Sequence, residues 1–233
     1  MVIQMNKEQR KDFALKCLLE NDVNKDLHYN KIKNHLLSKN PDKIYSAPVN
    51  PKYLQIDSTP IILTNNVYDA IKTIDEYNLN KQKEVPFIIY GKKTKGGAIL
   101  LDDLYCHFDK LKEDSASIEK LEDFLFARLN VFLQDNMQEQ VIVIGHTHPY
   151  TSRISFNYSI ADLSFHLFYY NYNVFSNGYN GNLLLSFIKT INQDYNFITY
   201  DYTTQTFKTF NKIYLQTKKK EFIPLSALNY CDD

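Results

Sequence analysis

The chain has 233 residues, with 27 Lys plus Arg balanced by 27 Asp plus Glu, 44% hydrophobic residues, 18 Tyr, 15 Phe and no Trp. That length suits one ordinary domain with an extension, or two small ones, and the composition is globular rather than disordered. A formal net charge of zero supplies no field that would draw a phosphate backbone or an anionic membrane, so neither nucleic acid nor a membrane is the expected partner.

Taken in order, the chain opens with two predicted helices. Lys7–Glu20 carries Phe13, Ala14, Cys17 and Leu18 at helical spacing, and Tyr29–Ser38 repeats the habit with Tyr29, Ile32 and Leu36. Pro41, Pro48 and Pro51 mark a loop that closes a helical N-terminal extension, residues 1–58, in which His28 and His35 read as surface or packing residues. The opening MVIQMNKEQRKDF lacks the apolar stretch of a signal peptide, and no run approaches the roughly 20 apolar residues of a spanning helix. A soluble, cytoplasmic protein is expected. Cys17, Cys106 and Cys231 are odd in number and far apart, so neither a disulfide framework nor a cysteine-based zinc knuckle is indicated, and a reducing compartment fits.

The domain proper is read over 59–217. Thr59–Leu63 is a short strand or lead-in, and Asn65 or Asn66 caps a helix whose Val67, Ala70, Ile71, Ile74 and Tyr77 form one apolar stripe, broken over Asn78–Gln82. Strand Glu84–Tyr90 follows, stopped by Gly91, and Lys92–Gly97 makes a hairpin into the antiparallel strand AILLDDLY. From Asp114 a long helix lines up Ile118, Leu121, Leu125, Leu129 and Phe132, ending near Asn136. After Gly178 and Gly181 the runs LLLSFIKT, YNFITYDY and FKTFNKIYL read as a meander, and Lys218–Lys220 is a solvated face in a C-terminal tail, 218–233.

Val141–Asp162 carries the chemistry. Val141–Ile144 reads as a buried strand, and His146 and His148 then share one face of the extended chain before Pro149 forces it out of the sheet. Two imidazoles from the rigid end of a strand suit a metal, and a catalytic zinc takes three protein ligands, leaving the fourth position to water. Between Pro149 and Ala161 there is no Asp, Glu, His or Cys, so Asp162 is the first downstream candidate. Ser159 and Asp162 also have the spacing of a capping box at a helix start, and the two readings are compatible. His166, four residues further on, shares the helical face of Asp162 and is a rival ligand; His107, Asp102 and Asp103 read instead as a polar turn.

This arrangement resembles the JAMM (MPN+, JAB) metalloproteases, whose signature is an upstream Glu followed by His-x-His-Pro and Ser-x-x-Asp. Here it is carried by Glu84, by GHTHP and by Ser159-Ile160-Ala161-Asp162, and covers roughly residues 60 to 205. The resemblance implies an α/β (α+β) MPN/JAB-like fold, similar to cytidine deaminases, with a mixed β-sheet flanked by helices. It also implies zinc on His146, His148 and Asp162, Glu84 as general base and Ser159 as donor to an oxyanion. Three features depart from the family. Thirteen residues separate His148 from Asp162, three more than is usual; Phe87 stands where a glycine is common; and Pro86 lies inside the first strand.

The implied activity is zinc-dependent hydrolysis of amide or isopeptide bonds, with a protein or peptide substrate such as a ubiquitin or ubiquitin-like conjugate. Two other readings come from different classes. One is a catalytically silent scaffold of the MPN type, whose members lack the ligands this chain keeps. The other is a relative of the RadC proteins linked to DNA repair, against which the neutral charge argues.

Overall fold

Runs of β-branched and aromatic residues recur along this chain, and on a pleated surface such side chains pack well against their cross-strand neighbours. The computed structural model describes residues 6, 9–10, 13–14, 54–81, 85–106, 140–148, 158–167, 183–189, 195–201 and 203–228. In it these runs become β1 (Gln55–Asp57), β2 (Ile61–Thr64), β3 (Pro86–Lys93), β4 (Ile99–Tyr105), β5 (Gln140–Thr147), β6 (Leu183–Lys189), β7 (Tyr195–Asp201), β8 (Thr206–Phe210), β9 (Ile213–Gln216) and β10 (Phe222–Pro224). All ten join one mixed sheet in the order β1-β8-β7-β6-β5-β3-β4-β2-β9-β10. The helices are α1 (Asn65–Lys81), α2 (160–167) and α3 (Leu225–Leu228), and residues 9, 10, 13 and 14 are also helical. The expected long helix from Asp114 and the second N-terminal helix lie outside the described residues. No helix among the described residues is long and apolar enough to cross a membrane.

The sheet must curl, and its connectivity says why. β8 and β9 stand second from either end of the order, yet only Asn211 and Lys212 join them. Seven strand spacings laid flat would span roughly 34 Å, whereas three Cα steps reach at most about 11 Å. β1 and β2 cross the same seam. β1 runs parallel to β8, with Asp57 opposite Phe210, and β2 runs parallel to β9, with Ile61 opposite Ile213. Two strands therefore bend together, and their legs belong to opposite ends of the sheet. At the bend Asp57 Oδ1 accepts the Thr59 N–H at 2.9 Å, Pro60 contributes no donor, and its carbonyl accepts from the Ile99 N–H at 2.8 Å.

This architecture overturns the expectation of an α/β MPN/JAB-like sandwich. Among the described residues the structure is mostly a curled, ten-stranded mixed sheet resembling a half-barrel, with few helices. Part of the reason lies in the run FKTFNKIYL. Its first half completes the antiparallel β6-β7-β8 meander as β8, but the run breaks at Asn211-Lys212 and sends its second half to the far end of the sheet as β9. Twist accumulating over ten strands makes a wide sheet close on itself rather than stay open for helical layers.

Two further expectations change in detail. Gly91 does not stop β3, which continues to Lys93 through a bulge at Tyr90/Gly91; a Cβ on Gly91 would collide with the Leu100 carbonyl, so glycine is what lets the ladder continue. Asn78 does not break α1, which runs on to Lys81. The α1 start also differs: Thr64 Oγ1 accepts the Val67 N–H at 3.5 Å, while Asn65 Nδ2 donates to Asp69 Oδ2 at 2.7 Å.

Packing divides between the two faces. On one, Val67, Ile71 and Ile74 of α1 meet Val85, Phe87, Ile89, Val141, Val143, Leu185, Phe187 and Phe197. Phe187 stacks on Phe197 with ring centroids 4.5 Å apart and meets Phe87 edge-on at 5.7 Å; burying each such ring is worth about 1.5–3 kcal/mol. Phe87, which occupies the expected glycine position, pairs with Gly145 across the ladder, and a Cβ there would sit inside its ring. On the other face Ile160, Leu163 and Leu167 of α2 meet Ile188, Ile198, Tyr200 and Phe207. Because side chains alternate along β5, placing Val141 and Val143 in the first core sends His146 to the second face, against α2.

Candidate metal centre

β5 is held on both sides, antiparallel to β3 and parallel to β6, with His146 opposite Pro86 and Ile188. An internal strand gives its last residues little freedom, which suits ligands that must point one way. His146 and His148 are buried at 6% and 4% exposure. Their Nε2 atoms lie 3.0 Å apart.

Asp162 comes from the first turn of α2. Ser159 caps that helix: its Oγ accepts the Asp162 N–H at 3.1 Å, its own N–H donates to Asp162 Oδ2 at 2.6 Å, and its O–H donates to the same oxygen at 2.7 Å. Held this way, Asp162 places Oδ1 3.2 Å from His146 Nε2 and Oδ2 3.6 Å from His148 Nε2. Burial alone would push its carboxyl up, but hydrogen bonds to and attraction by His146 and His148 outweigh it and hold the group well below the usual carboxylate range.

His146, His148 and Asp162 thus form a group that could hold a metal ion, with one donor atom from each and all three within 4.8 Å of one another. The spacing fits a single small cation. Tetrahedral zinc with bonds near 2.05 Å separates its ligand atoms by about 3.3 Å; the two Nε2 atoms lie 3.0 Å apart and His146 Nε2 lies 3.2 Å from Asp162 Oδ1, while the 3.6 Å approach to His148 Nε2 is made by the other carboxylate oxygen, Oδ2. Two imidazoles and a carboxylate leave room for water or a substrate oxygen.

The remaining candidates separate clearly. Glu84 lies outside the described residues; Val85, next in the chain, is bonded to Thr147 both ways, its N–H to Thr147 Oγ1 at 3.0 Å and its carbonyl to the Thr147 N–H at 3.1 Å. Ser159 is at the site but engages Asp162 as a helix cap. His166 is fully buried, with Nδ1 2.6 Å from Ser186 Oγ, and is not among the grouped ligands. Asp102 pairs with Lys92 at 3.4 Å on the surface, and His107 lies outside the described residues. Burial pushes the Cys106 thiol up to about 12, which leaves it protonated and a poor nucleophile. Sequence reasoning missed Asn78, whose Nδ2 donates to the His148 carbonyl at 2.9 Å; an Asn inside an otherwise apolar helical stripe was the available signal.

Burial holds the His166 pKa down at about 3 against an ordinary 6.5. The unfolded chain then takes up a proton between pH 6.5 and 3 that the folded chain refuses, so stability falls as pH drops through that window, by roughly 1.4 kcal/mol per unit for one such histidine. Urea midpoints from pH 7 to 4.5 should fall more steeply for the wild type than for His166→Gln; equal slopes would contradict the assignment.

No protein-family model matches the chain. A stretch of 59 residues, 24% of the chain, is 37% identical to an uncharacterized protein of Caenorhabditis elegans and spans 14% of that protein's length.

Proposed function

We propose that the protein is a zinc-dependent hydrolase of amide or isopeptide bonds, acting on a protein or peptide substrate. The observation that carries the reading is the convergence of His146, His148 and Asp162, from a strand end and a helix start, into one buried donor set of zinc-like spacing. The site supports the proposal independently of the fold, and chemistry is argued from sites because unrelated folds host the same reactions.

Zinc bound there would supply Lewis-acid polarisation of a carbonyl and a lowered pKa for water. The chain's own groups do the rest. His146, on β5, and His148, one residue past its end, would bind as neutral imidazoles. Asp162 adds one negative charge and is oriented by Ser159; for Ser159 to serve an oxyanion instead, its O–H would have to leave Asp162 Oδ2. Glu84 is the proposed base, taking a proton from water and handing it to the leaving amine. That role requires Glu84 to face the histidines.

Elemental analysis of the dialysed protein, with cleavage assays of wild type and Glu84→Gln on ubiquitin chains, ubiquitin-like conjugates and a peptide library, tests the reading. About one zinc per chain is expected in both proteins, and cleavage by the wild type only, with a drop of about 100-fold or more in Glu84→Gln. Equal cleavage by both would reject Glu84 as base. Iron in place of zinc would turn the reading toward the oxygen chemistry of two-histidine, one-carboxylate sites.

A further inference from the structure

His148 lies one residue beyond β5, whose ladder ends at Thr147. The sheet therefore does not fix this ligand directly. Its N–H reaches the Lys189 carbonyl at 3.5 Å, the limit of a hydrogen bond, and the following Pro149 contributes no donor. Its carbonyl is held much more tightly, by Asn78 Nδ2 at 2.9 Å.

Asn78 is costly where it stands. Asn is a poor residue for a helix interior, and this one is 1% exposed, with Oδ1 lacking any hydrogen-bond partner among the described residues. One turn earlier in α1, Asp75 Oδ2 lies 3.5 Å from Nζ of Lys189, which is buried at 4% exposure and sits opposite Thr147 in the ladder. The C-terminal half of α1 is thus tied twice to the strand ends that carry the site. We propose that Asn78 is a positioning residue for the metal: by clamping the His148 carbonyl it fixes the backbone torsions from which the His148 imidazole is aimed at His146 and Asp162. The inference rests on the metal-centre reading above.

A leucine at position 78 removes the unpartnered Oδ1 but leaves the His148 carbonyl without its donor, two effects of comparable size and opposite sign. Asn78→Leu should therefore keep the metal-free melting temperature close to that of the wild type. Its Co(II) affinity should fall about tenfold, as happens when a group that orients a ligand is lost, and its visible d–d bands should shift. Unchanged cobalt affinity and spectrum would overturn the proposal, and a loss of stability alone would identify Asn78 as purely structural. Should Asn78→Leu fail to fold, Asn78→Asp, which puts an acceptor where the donor was, reads the same two quantities. The wild type also reports directly: the Asn78 side-chain amide signals should move in NMR on zinc titration, and signals that ignore the metal would count against the clamp. Wild type that takes up neither zinc nor cobalt would instead remove the metal-centre reading itself.

Discussion

His146→Ala is expected to abolish the gain in thermal stability that the proposed zinc would confer on the wild type. A ligand that binds only the folded state at 1,000 times its Kd stabilises by about 4 kcal/mol. For a chain of this size that is roughly 10 °C in melting temperature. The proposed zinc would draw on three donors, and removing one imidazole would leave too few to hold the ion at micromolar concentrations. The metal-free protein should respond in the same direction for a different reason. His146 is one of the two groups that hold the Asp162 carboxyl low, so its loss leaves a buried anion less compensated, at a cost of about 1–3 kcal/mol. That stabilisation is present above the ordinary carboxylate pKa and is lost progressively as pH falls below it, so the deficit should be visible at pH 7. Differential scanning fluorimetry with and without zinc, alongside metal content, measures both effects; a zinc-induced shift of wild-type size in His146→Ala would refute the ligand set.

Ending the chain at Lys212 is expected to destroy cooperative folding. The truncation removes β9, β10 and α3, and with them the buried Leu215 and Leu225. It also strips the outer neighbour from β2, whose Ile61 and Leu63 are fully buried. Each of these four side chains contributes about 1.5–3 kcal/mol by burial, and their sum is comparable to the whole stability of a typical domain, about 5–15 kcal/mol. Urea unfolding followed by near-UV circular dichroism should show no sigmoidal transition. A transition with the wild-type midpoint would mean that the curled sheet does not depend on its seam.

The site was more legible in the sequence than the fold. The run Val141–Ile144, the two histidines sharing a face and the Ser159-x-x-Asp162 cap are local patterns, set by strand alternation and by helix-start chemistry, and the structure brings three of the named side chains together. The signature around Glu84, His146, His148 and Asp162 carried no comparable information about the architecture. Pairings such as Gln55 with Lys208 and Ile61 with Ile213 join segments that show no local sign of one another. The divided fate of FKTFNKIYL is decided by the same distant partners. Asn78 was misread for a related reason: by propensity it ends a helix, but a buried hydrogen bond to His148, 70 residues away, overrides propensity.

The bent pair of strands also sets a timetable for biosynthesis. Ile61 leaves the ribosome long before its partner Ile213 exists, and at 5–20 residues per second the wait is roughly 8–30 s. Throughout that interval the nascent chain carries an apolar strand, Ile61 to Leu63, with one edge unsatisfied. Such a segment invites pairing with other polypeptides, so yield in the cell should depend on how well holdase chaperones shield the early chain until translation nears its end.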